Sequence, residues 1–554
     1  MRSRLLSIVG HPWMYVVLGF FAAGCAVYGY SVAVNQFVEF DDTLLILDNI
    51  SVIKAGRWSS VLWAFQYYDP ELYIPLTFLS LQMNAVIGGL HPFIFHLDNL
   101  IEHIINALLI AGILQVLFRR MDIAILLGLL FLLHPLNTEA VAWASSRKDL
   151  LSSLFGFASF LVYLRYRDSG RVKLLRVSAL LFLLGLLAKV SIVPLPVALL
   201  LCDFFRQGKI SLRDVLEKRW FFIAAVLLGL IAVLGKDVVL ERSSPVAIFL
   251  LIPRSITFYI EKFFLPVRLS IFYPFSEDAI HLANPEIILS ALGLAAIAVG
   301  LWILRRRLPG VVLGLLIALL FLIPSFFQYY RGNEFYMATD RYMYMPFVGV
   351  LMAIASILVS LQDRFRRTMH WCSFVVLVIC ALLSLQRSFV WRNTGTLFYD
   401  ALSTAESFLA YEKIGTWELR YGNTEQAIAA LKRSIEISPN SAAYFRLGVA
   451  AMAEGDTQAA SLFMQEALTL SPDYSDAHVN MSKLYWDEGN IPLAVEHAEK
   501  AVEFHAWDMM ALGNLATMYT LTGRKDDALE VIAKIQDLEP DNERVKPLLK
   551  KLGR

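Results

Sequence analysis

Apolar residues run through the first 390 or so positions in long blocks separated by short polar breaks, and then the pattern changes. After about residue 408, apolar and polar residues alternate with the period of amphipathic helices. The blocks predict eleven membrane spans at 13–34, 94–118, 121–136, 148–166, 174–190, 191–205, 220–235, 286–304, 310–328, 344–361 and 371–388. The first apolar core is about 22 residues, longer than the core of a signal peptide, so it predicts an uncleaved first helix. Basic residues gather in alternate connections: Arg2 and Arg4, Arg119 and Arg120, and the stretches 165–176, 206–219, 305–307 and 364–367. Cytoplasmic loops carry this kind of Lys/Arg excess. The segments 35–93, 137–147, 236–285 and 329–343 then fall on the opposite side, and an odd number of spans puts the C-terminal part there too. Residues 57–90 and 246–275 are apolar but broken by proline and charge, which predicts interfacial or re-entrant helices.

The C-terminal part repeats. Gly422, Gly455, Gly489 and Gly523 recur at spacings of 33, 34 and 34, and Ala427, Ala460, Ala494 and Ala528 follow each glycine by five. Pro439, Pro472 and Pro540 close three of the units, and Ala506 takes that place in the third. This period predicts four tetratricopeptide repeats (TPRs), each a helix–turn–helix hairpin, stacked into a superhelix that holds a peptide or protein. The tail at 543–552 predicts a capping helix. The fold class expected is therefore all-α: a polytopic membrane domain over 1–390, an interfacial linker over 391–407 anchored by Trp391 and Arg392, and a TPR α-solenoid over 408–554.

Composition sharpens this picture in three places. The chain is 57% hydrophobic, above the ~45–50% of ordinary soluble chains. Its net charge of +1 gives no sign of a nucleic-acid partner, and none is expected. The four cysteines, Cys25, Cys202, Cys372 and Cys380, all lie in apolar runs, so no structural disulfide is expected.

An ordered set of motifs carries a family resemblance. FVEFDDTLLILDN (37–49) follows the first span, and DPELYIPLTFLSLQMNAVIGGLHPFIFHLDNLIEHIINALL (69–109) comes next. FLLHPLNTEAVAWASSRKDLLSSL, LLAKVSIVPLP, FLPVRLSIFYP, DRYMYMPFVG and WRNTGTLFYDAL then appear in that order, ahead of the repeats. Together these motifs resemble the TMTC-like proteins over nearly the whole chain. The resemblance implies a transmembrane glycosyltransferase of the GT-C fold with non-cytoplasmic TPRs. It implies a sugar donor linked to polyprenyl phosphate, a protein hydroxyl as acceptor, and a catalytic carboxylate in the first external loop, at Asp41 or Asp42. Ile74, Asn137 and Val190 depart from the family pattern, which bears on substrate choice rather than class.

The chemistry of such a donor assigns roles to other residues. Its leaving group is already a phosphate ester, so cations that stabilise developing negative charge suffice, while the acceptor hydroxyl wants a general base. Asp41 and Asp42 are the candidate base, with N-capping of the next helix as the alternative for the pair. Lys189 and Arg341, then Arg147 and Lys148, are candidate phosphate ligands; basic side chains at span ends can instead reach out to lipid head groups. His134 and Glu139 are candidates to orient the acceptor. His96, Asp98, Glu102 and His103 suggest helix-packing hydrogen bonds. No cofactor is certain, and a divalent metal is left open because no third ligand accompanies His134 and Glu139. The partners expected are the donor, a protein acceptor held by the TPRs, and membrane lipid.

Two other readings remain beside the enzyme. One is a membrane-anchored TPR scaffold; the other keeps the fold but uses a lipid or glycan acceptor. Short loops fit a bacterial inner-membrane protein with a periplasmic repeat domain, and an endoplasmic-reticulum protein with a luminal one has the same topology.

Overall fold

The computed structural model describes residues 12–66, 68, 73–234, 245–328, 330–331, 334–361, 366–539 and 542–553. Arg2, Arg4, Arg364 and Pro540, on which parts of the charge and repeat patterns rest, lie outside the described residues. The chain divides into two compact units, Met1–Ala405 and Glu406–Arg554.

Each of the eleven apolar segments of the first unit contains a helix. Among the described residues, six helices are long and apolar enough to cross a membrane: Trp13–Val34, Pro92–Phe118, Val190–Gln207, Pro285–Leu304, Pro309–Phe326 and Trp371–Val390. A seventh crossing results if Met121–Leu133 and Pro135–Ala142, bent by 54° at their junction, count as one span. A polytopic membrane unit is thus supported, but among the described residues the helices do not clearly supply eleven full crossings. Phe347–Ser360 has 14 residues, or about 21 Å at ~1.5 Å per residue, against a hydrocarbon core of about 30 Å. Arg147–Ser169 is long enough, but it opens on Arg147, Lys148 and Asp149 and carries Arg165, Arg167 and Asp168 near its other end.

The helices differ in depth. Of the apolar window in Pro92–Phe118, 56% is buried, against 11% in Pro285–Leu304, so the first is central and the second peripheral. The central core gathers Phe131, Phe157, Tyr344 and Phe347 edge to face. Pro309–Leu322 and Phe347–Ser360 cross at Gly314 and Gly349, where a Cβ on Gly314 would lie 2.5 Å from the Ala353 backbone nitrogen. Only glycine permits that approach.

The broken external segments fold onto the unit. Trp58–Gln66 and Pro75–Gly88 build a small core of their own, in which Ile46, Val52, Phe78 and Leu81 pack with Phe95 and Ala144. Thr77 Oγ1 donates to the Ala188 carbonyl at 2.9 Å, pinning this layer beside Lys189. The all-α expectation misses one short antiparallel sheet, with Glu334–Tyr336 between Pro274–Phe275 and Tyr330–Arg331.

The segment expected to be an interfacial linker is built into the first unit as far as residue 405. Trp391 does not reach for head groups. It is fully buried, and its ring stacks on Trp143 at 5.6 Å. The Arg392 carbonyl accepts from Gln36 N at 2.9 Å, and Thr394, at the start of the helix Thr394–Thr404, accepts from Glu39 N at 2.9 Å.

The second unit is a run of helix pairs: Phe408–Arg420 with Thr424–Ile437, Ser441–Glu454 with Thr457–Leu470, Ser475–Asp487 with Ile491–Phe504, and Met509–Thr522 with Lys525–Leu538. Val545–Lys551 follows them. The repeating glycines sit at the turn within each pair with φ between 79° and 81°, the left-handed region that glycine tolerates. The four alanines five residues on are fully buried, where a larger side chain would push paired helices apart.

Candidate functional site

The chain leaves the helix Pro12–Val34 and turns back at residues 39–42. The two aspartates of that turn have different surroundings. Asp42 is fully buried. Its Oδ2 accepts from Val38 N at 2.8 Å, and its Oδ1 accepts from Ser145 N at 2.8 Å and from the Ser145 hydroxyl. It makes no side-chain cap to the π-helical turn Thr43–Leu47 that follows, so the capping alternative fails for this residue. Instead it ties the first external loop to the turn Ala144–Ser146. Burial pushes the Asp42 carboxyl up to about 6, against the pull of its Ser145 and Val38 donors. The Asp41 side chain stays 20% exposed, and Lys148 Nζ meets its Oδ2 at 3.1 Å.

Arg147, Lys148 and Asp149 open one helix in succession. Successive helical residues point about 100° apart, so the three side chains take three directions. Arg147 turns inward, with its side chain wholly buried. It donates to Asp98 at 2.6 Å, Asn99 at 2.7 Å, Ser80 at 2.7 Å, Asn84 at 2.8 Å and the Phe95 carbonyl at 2.8 Å. These bonds commit its fork to protein groups, and it knits Pro75–Gly88 to Pro92–Phe118. Lys148 turns to Asp41, and Asp149 turns to Lys189, whose Nζ lies 2.5 Å from Asp149 Oδ1.

Arg341 stands on the short turn Asp340–Met343. Its guanidinium pairs with the buried Glu139 carboxylate, its backbone N–H donates to Glu139 at 3.3 Å, and it lies over the rings of Trp143 at 4.9 Å and Tyr342 at 5.1 Å. Burial opposes the Arg341 charge, and Glu139, with smaller contributions from Tyr342, Asp149 and Asp41, together more than offset it. Lys189 Nζ lies 5.6 Å from the centre of the same Tyr342 ring. Asp149, Ser153, Lys189, Ser191, Arg341 and Tyr342 line one open pocket.

The structure thus brings Asp41, Lys148, Lys189, Arg341 and Glu139 into one region and draws Asp42 and Arg147 into its supports. His134 stands apart from that pocket's lining. Its Nε2 donates to the Phe263 carbonyl at 3.0 Å, its Nδ1 accepts from Leu136 N at 3.3 Å, and its ring stacks on Phe263. With both nitrogens occupied it has no edge left to orient an acceptor. In the neighbouring polar cluster, His103 bonds the Tyr344 hydroxyl at 2.7 Å and the Leu132 carbonyl at 3.1 Å, which is helix packing. Asp149 and Tyr342 escaped the sequence reading. The signal for Asp149 was present, a third consecutive charge at the start of an apolar span. Among the described residues, no group of three or more His, Cys, Asp or Glu could hold a metal ion.

A tetratricopeptide-repeat family profile matches residues 414–475 and 479–543. Among curated proteins, protein O-mannosyl-transferase TMTC3 of Mus musculus is 23% identical over 514 residues, covering 80% of this chain and 55% of that protein. Protein O-mannosyl-transferase TMTC4 of Homo sapiens is 32% identical over 188 residues, covering 30% of this chain and 25% of that protein. TMTC1 of Homo sapiens, of the same description, is 32% identical over 159 residues, with 27% and 18% covered. The matched regions therefore span from about a fifth to about half of these relatives' length. Among solved structures, MamA is 23% identical over 26% of this chain and 87% of its own, with a TM-score of 0.24. The TPR protein YrrB, described as having an unusual peptide-binding site, is 17% identical over 32% and 91%, also at 0.24. The chain is thus similar to the TMTC proteins over most of its length, and its C-terminal repeats are tetratricopeptide repeats.

Proposed function

We propose that this TMTC-like chain is a membrane glycosyltransferase that moves mannose from a polyprenyl-phosphate donor to a protein hydroxyl on the non-cytoplasmic side. The observation that carries this reading is the meeting of a partly exposed carboxylate, Asp41, with Lys148, beside a pocket walled by Lys189 and Arg341. The relatives' shared description, protein O-mannosyl-transferase, supports mannose as the sugar and a protein as the acceptor.

In the reaction, the acceptor oxygen bonds to the anomeric carbon as the bond from that carbon to the phosphate oxygen breaks. The acceptor proton passes to Asp41. The polyprenyl phosphate leaves with one more negative charge than it brought, and Lys189 and Arg341 stabilise that charge as it forms. Attack from the face opposite the phosphate inverts the anomeric centre. Glu139, Trp143 and Tyr342 hold the Arg341 guanidinium in place before the donor arrives, so little reorganisation is left for the reaction itself. Lys148 orients the Asp41 carboxylate. Asp42 and Arg147 hold the loop and the helix on which these groups stand. The alternation of basic connections supports a non-cytoplasmic site, and the TPRs support a protein acceptor.

Asp41→Asn separates the enzyme from a scaffold. Loss of a general base costs about 10²- to 10⁴-fold in rate. The variant should insert normally and lose hexose from its acceptor proteins, read by intact mass. Unchanged glycosylation in Asp41→Asn would leave the scaffold reading standing.

A further inference from the structure

Resting on that reading, we propose that Asp149 recognises the donor's sugar, accepting hydrogen bonds from its hydroxyls and so determining which hexose is transferred. Asp149 lines the pocket with Lys189 and Arg341, and beyond serving as a counter-charge a carboxylate there repels a phosphate. One of its oxygens is accounted for: Oδ1 holds Lys189 at 2.5 Å. The other, Oδ2, is buried without a hydrogen-bond partner among the described residues, on a side chain only 9% exposed. Neutralising Lys189 needs one oxygen. A second carboxylate oxygen left unpaired on a residue that lines the pocket is costly unless a ligand donates to it.

The ligand must then bring donors and no further negative charge at that point. Sugar hydroxyls do so, and the phosphate of the same donor would lie towards Arg341. Ser153, one helical turn beyond Asp149, lines the same wall, and Ser191 faces it from the turn Val190–Ile192. Two hydroxyl side chains that line the same pocket as this carboxylate make a surface suited to a polyol.

The experiment compares the purified full-length protein with Asp149→Glu and Asp149→Asn, on polyprenyl-phosphate mannose and on the four donors lacking the 2-, 3-, 4- or 6-hydroxyl. In the unaltered protein, removal of the recognised hydroxyl should lower kcat/KM by roughly 10²-fold or more, since it leaves a buried acceptor unpaired. In Asp149→Asn that penalty should collapse, because the partner is already gone. Asp149→Glu keeps a negative charge for Lys189 and displaces it by one methylene, so the penalty should weaken or move to a different hydroxyl. If both variants lose rate equally on all five donors, Asp149 serves only as the counter-charge of Lys189 and the proposal is overturned. An unaltered protein indifferent to every single deoxygenation also overturns it, even if neither variant can be purified folded. An unaltered protein that transfers no sugar from any polyprenyl-phosphate donor defeats the functional reading itself, a result distinct from the other two.

Discussion

Two neighbouring carboxylates in one turn have come to different surroundings: Asp42 is fully buried and Asp41 is partly exposed. Asp42 faces Val38 N and Ser145 N, while Asp41 faces a lysine at the rim. The two are also separable by pH. The Asp42 carboxyl stands at about 6 in the folded protein against an ordinary 3.8. A carboxyl raised on folding contributes stability that is fully present below its unfolded value and is lost as pH rises through its folded one. The window here is about pH 4 to 6, and the difference is worth about 3 kcal/mol. Thermal unfolding in detergent should show Asp42→Asn losing much of the pH dependence in that window, while Asp41→Asn keeps it. The sequence showed both aspartates and their shared loop. It could not show which faced inward, because that is decided by Ser145, more than a hundred positions away.

At the scale of elements, hydropathy located a helix in each of the eleven apolar segments of the first unit, but among the described residues those helices do not clearly make eleven full crossings. A run of apolar residues records burial in lipid or protein alike, and Pro135, Pro194 and Pro346 stand where apolar segments break into short turns between helices. The strands escaped because they are two or three residues long, too short for a period to be visible. Two glycines should respond differently to alanine for reasons set by their elements. At Gly349 an added Cβ meets the backbone of Pro309–Leu322 at Ala318, so the helices must separate, at a cost of about 1–3 kcal/mol. At Gly455 the space is open and the cost is conformational, about 1–2 kcal/mol for an L-residue held at φ 81°. Proteolysis should distinguish them: Gly349→Ala should loosen the first unit, and Gly455→Ala the second.

For the molecule as a whole, the repeat period was legible because identical units impose identical turns, and the pocket was not. Its walls come from residues 149, 189 and 341, which three separate stretches of chain bring together. The hydrophobic clusters of the repeat unit are drawn entirely from its own residues. Residues 406–554 expressed alone should therefore fold, with a strong helical circular-dichroism signal at 222 nm that is lost in one cooperative heating transition. A non-cooperative loss of that signal would show that the repeats need the rest of the chain.

The burial of Trp391 against Trp143 has a mechanical consequence. The chain runs from that indole pair through Arg392 and Thr394, which hold the backbone of Gln36 and Glu39, and on to the repeats. A force on the repeats that travels down the covalent chain is shared with Arg387 at Asp400 and then, at Thr394 and Arg392, with the loop that presents Asp41.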